Sequence, residues 1–150
     1  MPWLICAALV WIIILLIVRL KELGRLWSAG FWSLLVCYYL NQFLLAKGFY
    51  LFQETFLTFQ GVPLLLLVAG AGFAIIMMRF LPEQKGWQCL YLILLSAGLT
   101  GLKFVALGME EIIFLQWSLL DSFVFTLIAL ITIVWLSNLT IKQKKGIFFV

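Results

Sequence analysis

Long apolar runs separated by short clusters of charge account for nearly the whole chain, and their lengths predict helices rather than strands. The first run occupies residues 2–18 and closes on Arg19, Lys21, Glu22 and Arg25; the second fills 26–46 and closes on Lys47. A third, 62–78, ends at Arg79, with Pro82 and Gly86 marking a tight turn before the fourth, 87–107. Gly108, Glu110 and Glu111 separate this from the fifth, 118–136, after which come Lys142, Lys144 and Lys145. About 20 apolar residues carry an α-helix across the hydrocarbon of a bilayer. The pattern therefore predicts an all-α polytopic membrane protein with five transmembrane helices.

Five crossings place the termini on opposite sides, and the basic residues decide which is which. Eight of the ten Lys and Arg follow the first, third and fifth runs, leaving Lys47 and Lys103 for the other side. Positive loops stay in the cytoplasm, which predicts an outside N-terminus and an inside C-terminus. Trp27, Trp32, Trp87 and Trp135 then flank the inner face, Trp3 and Trp117 the outer, and Trp11 lies at mid-depth. The first run is expected to remain as an anchor, because its positive charges follow it and no small-x-small cleavage site comes after.

Residues 48–60 neither span nor read as a solvated loop. Phe49, Phe52, Phe56 and Phe59 recur at helical spacing, opposite Gln53, Glu54, Thr55 and Thr58. That stripe predicts a short helix lying in the outer interface. An aromatic loop covering the helix ends is the alternative.

Composition narrows the class. Of 150 residues, 66% are hydrophobic and 11% charged, and the mean hydropathy is +1.20. Such a chain is not disordered, not a secreted disulfide scaffold and not a soluble enzyme on a small core; it reads as one integral membrane domain over 1–150. The net charge of +4 lies in short loop clusters rather than on a phosphate-tracking surface, so no nucleic-acid partner is expected. Cys6, Cys37 and Cys89 stand singly within apolar segments of a chain without histidine. They are read as small hydrophobes, and no metal or other cofactor is predicted.

Polar residues at membrane depth are the candidate chemistry, because an uncompensated charge in hydrocarbon is costly. Lys103 and Asp121 fall at similar depth near the outer ends of the fourth and fifth runs, which predicts an ion pair. Asn41 and Gln42, near the outer end of the second run, complete a candidate outer polar cluster of Asn41, Gln42, Lys103 and Asp121. Gly70 and Ala74 in the third run, with Ala97 and Gly101 in the fourth, predict close small-residue packing between those two helices. Glu110 and Glu111 resemble the Glu-Glu-x-x-x-Arg element of CAAX-type intramembrane proteases, but Leu115 stands where the arginine belongs. A carboxylate without its basic partner has no route to amide hydrolysis, and no catalytic residue is expected.

A wider resemblance runs through the chain. Its motifs are Leu26-Trp27, Tyr38-Tyr39-Leu40-Asn41-Gln42-Phe43, Phe80-Leu81-Pro82, Tyr91-Leu-Ile-Leu-Leu-Ser96, Lys103-Phe-Val-Ala-Leu-Gly-Met109 and Ile113-Phe-Leu-Gln-Trp-Ser-Leu-Leu-Asp-Ser-Phe123. In order and spacing they resemble a family of small five-span membrane proteins from spore-forming Bacillota. The sequence departs from that pattern at Lys103-Phe104, where Glu-Trp is expected, and at Trp117-Ser118, where Trp-Asn is expected. The resemblance implies a bacterial cytoplasmic membrane and no established activity. The expectation is a non-enzymatic membrane protein that acts by contact with another membrane protein or with a second copy of itself. The alternative is a small transporter or ligand-binding membrane subunit whose site is the outer polar cluster.

Overall fold

A computed structural model describes residues 2–52, 57–110 and 112–145. Among them the elements run α1 (Pro2–Ile17), α2 (Leu20–Ala46), β1 (Tyr50–Phe52), β2 (Thr58–Phe59), β3 (Val62–Pro63), α3 (Leu64–Arg79), α4 (Lys85–Gly108), β4 (Ile112–Phe114) and α5 (Leu119–Lys145). Each apolar run has become one helix. Among the described residues, three helical segments, Leu20–Ala46, Lys85–Gly108 and Leu119–Thr140, are long and apolar enough to cross a membrane, so the protein is membrane-embedded. The other two, α1 and α3, have 16 residues each and rise about 24 Å.

The second helix begins at Leu20, earlier than the apolar run, because Lys21, Glu22 and Arg25 are good helix formers that the hydrophobic pattern passes over. Glu22 lies in its first turn, where the helix dipole favours a carboxylate, and pairs with Arg79 in the last turn of α3. Arg19, extended at φ −70° and ψ 146°, makes the break from α1.

Side by side, the helices follow the order α1, α3, α2, α5, α4. The small residues of α3 explain its central place. A Cβ on Gly72 would stand 2.6 Å from Val10 Cγ1 and 3.0 Å from Ile14 Cδ1, so α1 rests directly on the α3 backbone. The next face turns to α2, where a Cβ on Gly70 would meet Cys37 Sγ at 3.6 Å, and Gly30 of α2 receives Ile75. This corrects the expected packing of Gly70 and Ala74 against Ala97 and Gly101. Ala97 is exposed and Gly101 has open space around it, because α4 packs chiefly on α5 and meets α3 only near their short connection.

The two ends of the bundle differ. At the end carrying Arg19, Arg25, Arg79 and Lys85, two apolar clusters close the interior, one around Ala74, Met77, Leu92 and Ile133, the other around Ile14, Leu26 and Ile75. At the opposite end β1 pairs antiparallel with β4, Tyr50 opposite Phe114 and Phe52 opposite Ile112. This ribbon packs with Leu44, Trp3 and Trp117. The β2–β3 hairpin turns through Gln60 at φ 49° and Gly61 at φ 85°, the paired positive values of a tight hairpin turn.

The ribbon overturns the interfacial helix expected over 48–60. Gly48, at φ 71°, ends α2 in the left-handed conformation, with the Gly48 and Phe49 amides bonded back to the Leu45 and Leu44 carbonyls. Beyond it the side chains alternate, Tyr50 buried and Leu51 exposed, and the backbone finds partners in β4, some sixty residues away. The aromatic spacing imitates a helical stripe, but its contacts come from other elements. Gln53, Glu54, Thr55 and Phe56 lie outside the described residues, as do Glu111 and the side chains of Lys142, Lys144 and Lys145.

Candidate ligand-binding cavity

Between the helices lies a cavity of about 330 Å³ to which all five contribute lining residues. The inner cluster closes it below, through Ala74, Leu130 and Ile133; the ribbon roofs it, through Tyr50, Phe52, Ile112 and Phe114. The row ends at α1 and α4, which make no extensive contact with one another. Leu102, Val105 and Met109 of α4 line the cavity and are each more than half exposed, 55–57%.

Its polar groups come from two helical stripes and one strand. Ser33, Cys37 and Asn41 recur every fourth residue and so share one face of α2. Ser33 Oγ donates to the Gly70 carbonyl at 3.0 Å and also contacts Cys37 Sγ at 3.8 Å. Asn41 Nδ2 donates to the Cys37 carbonyl at 2.7 Å, and the Tyr50 hydroxyl donates to Asn41 Oδ1. Burial beneath the ribbon pushes the Tyr50 phenol up from its ordinary pKa, which keeps it a neutral donor.

Across the cavity, Lys103 reaches from α4 to α5. Its Nζ donates to Thr126 Oγ1 at 3.1 Å and to Ser122 Oγ at 3.3 Å, two buried hydroxyls one helical turn apart. The expected ion pair with Asp121 does not form. Asp121 lies on the far side of the α5 N-terminus, where its Oδ2 accepts from the Ser118 amide at 3.1 Å and from Ser118 Oγ at 2.7 Å, while the Asp121 amide donates to Ser118 Oγ. This is a reciprocal capping box, which satisfies the amides that a helix start leaves without partners. Among the described residues, no carboxylate pairs with Lys103.

The outer polar cluster therefore divides. Asn41 and Lys103 line the cavity; Gln42 and Asp121 do not. Gln42 Nε2 instead donates to the Gln60 carbonyl at 2.7 Å and, with the Tyr38–Gln60 side-chain bond, holds the β2–β3 hairpin against α2. Ser33, Ser122 and Thr126 are cavity residues with no expectation attached to them in the sequence, while Cys37 reads there only as a small hydrophobe and Tyr50 only as one more aromatic of residues 48–60. Two spacings were available to find them, Ser33-x-x-x-Cys37-x-x-x-Asn41 and Ser122-x-x-x-Thr126, each a polar stripe on a helix otherwise filled with apolar residues. Tyr50 carries no such signal, because only the strand pairing brings it over the cavity.

This arrangement offers an apolar enclosure with hydrogen-bonding groups and one cation gathered near the roof. It suits binding and orientation of an amphipathic molecule; its members are already engaged with one another in ways that hold their side chains in place. The chain matches no protein-family model, no curated protein and no solved structure.

Proposed function

We propose that this protein is a ligand-binding membrane protein that takes an amphipathic molecule from the bilayer into the cavity between its helices. The observation that carries this reading is the cavity itself, largely aliphatic toward the basic end and polar beneath the ribbon, with exposed α4 residues in its wall. A protein acting only by surface contact has no need to hold an ammonium and an amide against such a space. The ligand-binding alternative is for this reason the stronger of the two expectations raised by the sequence. The role is non-enzymatic: the cavity's polar groups hold and orient, and none is assigned to bond breaking.

The same reading includes five crossings, with the strand-capped end outside and the basic end in the cytoplasm. The alternation of helix ends supports it, as does the gathering of Arg19, Lys21, Arg25, Arg79 and Lys85 at one end. The motifs shared with small five-span proteins of spore-forming Bacillota support the bacterial cytoplasmic membrane as its location.

Filling the cavity tests the function. Ala129 and Ala106 line it from α5 and α4. In protein reconstituted in phosphatidylcholine nanodiscs, Ala129→Phe and Ala106→Leu are each expected to reduce binding of radiolabelled methyl palmitate to the level of empty nanodiscs. The helical circular dichroism spectrum should be retained. Binding by both folded variants equal to that of the original chain would refute the reading.

A further inference from the structure

We propose that the ligand is an anionic single-chain amphiphile, with its carboxylate or phosphate against Lys103 and its chain directed toward the closed end. This rests on the cavity being a ligand site. Lys103 is the observation that sharpens it. An ammonium has three donors, and here two are taken by the hydroxyls of Ser122 and Thr126. Those hydroxyls supply acceptors but no negative charge, and no described carboxylate compensates the cation. A charge held inside a helical bundle without a counter-ion is costly, and such residues mark ligand or ion sites. An anion in the cavity would set a negative charge beside the cation, which has none among the described residues, and accept the third donor.

The other walls fit the same molecule. Tyr50 and Asn41 lie on the facing side, near the roof, so the headgroup region carries hydrogen-bonding groups on both sides. Moving from Thr126 to Ile133 on α5 descends about 10 Å, and the lining changes there to Ala74, Leu130 and Ile133. Apart from Ser33, whose hydroxyl is bonded to the Gly70 carbonyl, polarity falls along the length of the cavity as it does along a fatty acid. The enclosed volume, about 330 Å³, lies at the small end of ligand sites, which run from about 300 to 1,000 Å³. One acyl chain suits it better than two. Leu102 and Val105 line the cavity and are each more than half exposed, so its wall at α4 lies against the hydrocarbon from which such a chain would come.

The test compares headgroups on one chain length. Radiolabelled palmitate, palmitoyl lysophosphatidate, methyl palmitate and cetyltrimethylammonium are titrated into the full-length protein in phosphatidylcholine nanodiscs, with empty nanodiscs subtracted. The two anions are expected to bind about tenfold or more tightly than methyl palmitate, in line with a charge-assisted hydrogen bond, and the cation more weakly than either. Whichever anion binds more tightly identifies carboxylate or phosphate as the preferred group. Lys103→Met should abolish the preference for the anions over methyl palmitate; Lys103→Gln replaces it if the first variant does not fold. Equal binding of palmitate and methyl palmitate by the original chain would overturn the anion assignment and leave the cavity reading standing. Absence of protein-dependent binding by all four molecules would remove both.

Discussion

The basic end and the strand-capped end of this bundle are built from the same five helices, yet one is closed and the other holds a cavity. At the basic end the contacts are between small and aliphatic side chains: Gly72 admits α1, Gly30 admits Ile75, and Ala74, Met77 and Ile133 fill the centre. At the other end Phe49, Tyr50 and Phe125 pack around Trp117, tilted or edge-on, at centroid distances of 5.0–6.2 Å. Large rings joined to a ribbon cover the ends of the helices without filling the space beneath. The lesson is that small residues decide where helices meet in a membrane, and aromatic residues can cover the gap that remains.

The largest effect should come from the closed end. Gly72→Leu forces a side chain into the space of Val10 and Ile14, and overpacking of this kind costs about 3 kcal/mol. The detergent-solubilised variant should melt well below the original chain by circular dichroism; an unchanged melting curve would mean that α1 does not rest on α3. At the strand-capped end, Tyr50→Phe removes the donor to Asn41 while keeping the ring in its cluster. The expected loss is about 1–2 kcal/mol, since the part-buried amide oxygen loses its partner. A variant as stable as the original would show that the ribbon is held by ring packing alone.

Smaller effects sharpen the contrast. Glu22 and Arg79 are both partly exposed, so Glu22→Gln should cost about 0.5 kcal/mol and less still in high salt. A loss that salt leaves unchanged would place the pair in a drier setting than its exposure indicates. The smallest effect expected is a null one. Lys103→Leu and Asp121→Leu should change stability additively, with a coupling below about 0.5 kcal/mol, because Asp121 caps α5 and Lys103 faces the cavity. A larger coupling would restore the ion pair that depth alone suggested.

These cases also show what could be read from the sequence. Hydrophobic runs located all five helices, since a run of that length has few other solutions in lipid. Depth along a helix puts Asp121 beside Lys103, but Ser118 three residues earlier makes Ser-x-x-Asp a helix-start signature, and that local bond decides where the carboxylate goes. The failure at 48–60 was of another kind. Its strand depends on Ile112, Ile113 and Phe114, and no local pattern in Tyr50, Leu51 and Phe52 announces a partner so distant. The cavity was hidden for a similar reason, because consecutive helices α3 and α4 are not lateral neighbours and the row closes in a different order from the chain. Asn41 and Lys103 were legible as unusual residues; that they face one enclosed space was not.

The shortness of α1 has a consequence for the membrane around it. At 16 residues it rises about 24 Å, some 6 Å less than the hydrocarbon thickness of a typical bilayer. If α1 crosses the bilayer, as the proposed five crossings require, a mismatch of that size draws the leaflets together beside it. The thinned patch would then lie beside the cavity wall to which Trp3, Cys6 and Val10 of α1 contribute. Phosphates and glycerols there would sit deeper than elsewhere in the sheet of lipid, and a charged head would travel a shorter distance through oil to reach the level of Lys103. In this reading a helix too short for its bilayer acts as a ramp, lowering the barrier to lateral entry without any moving part.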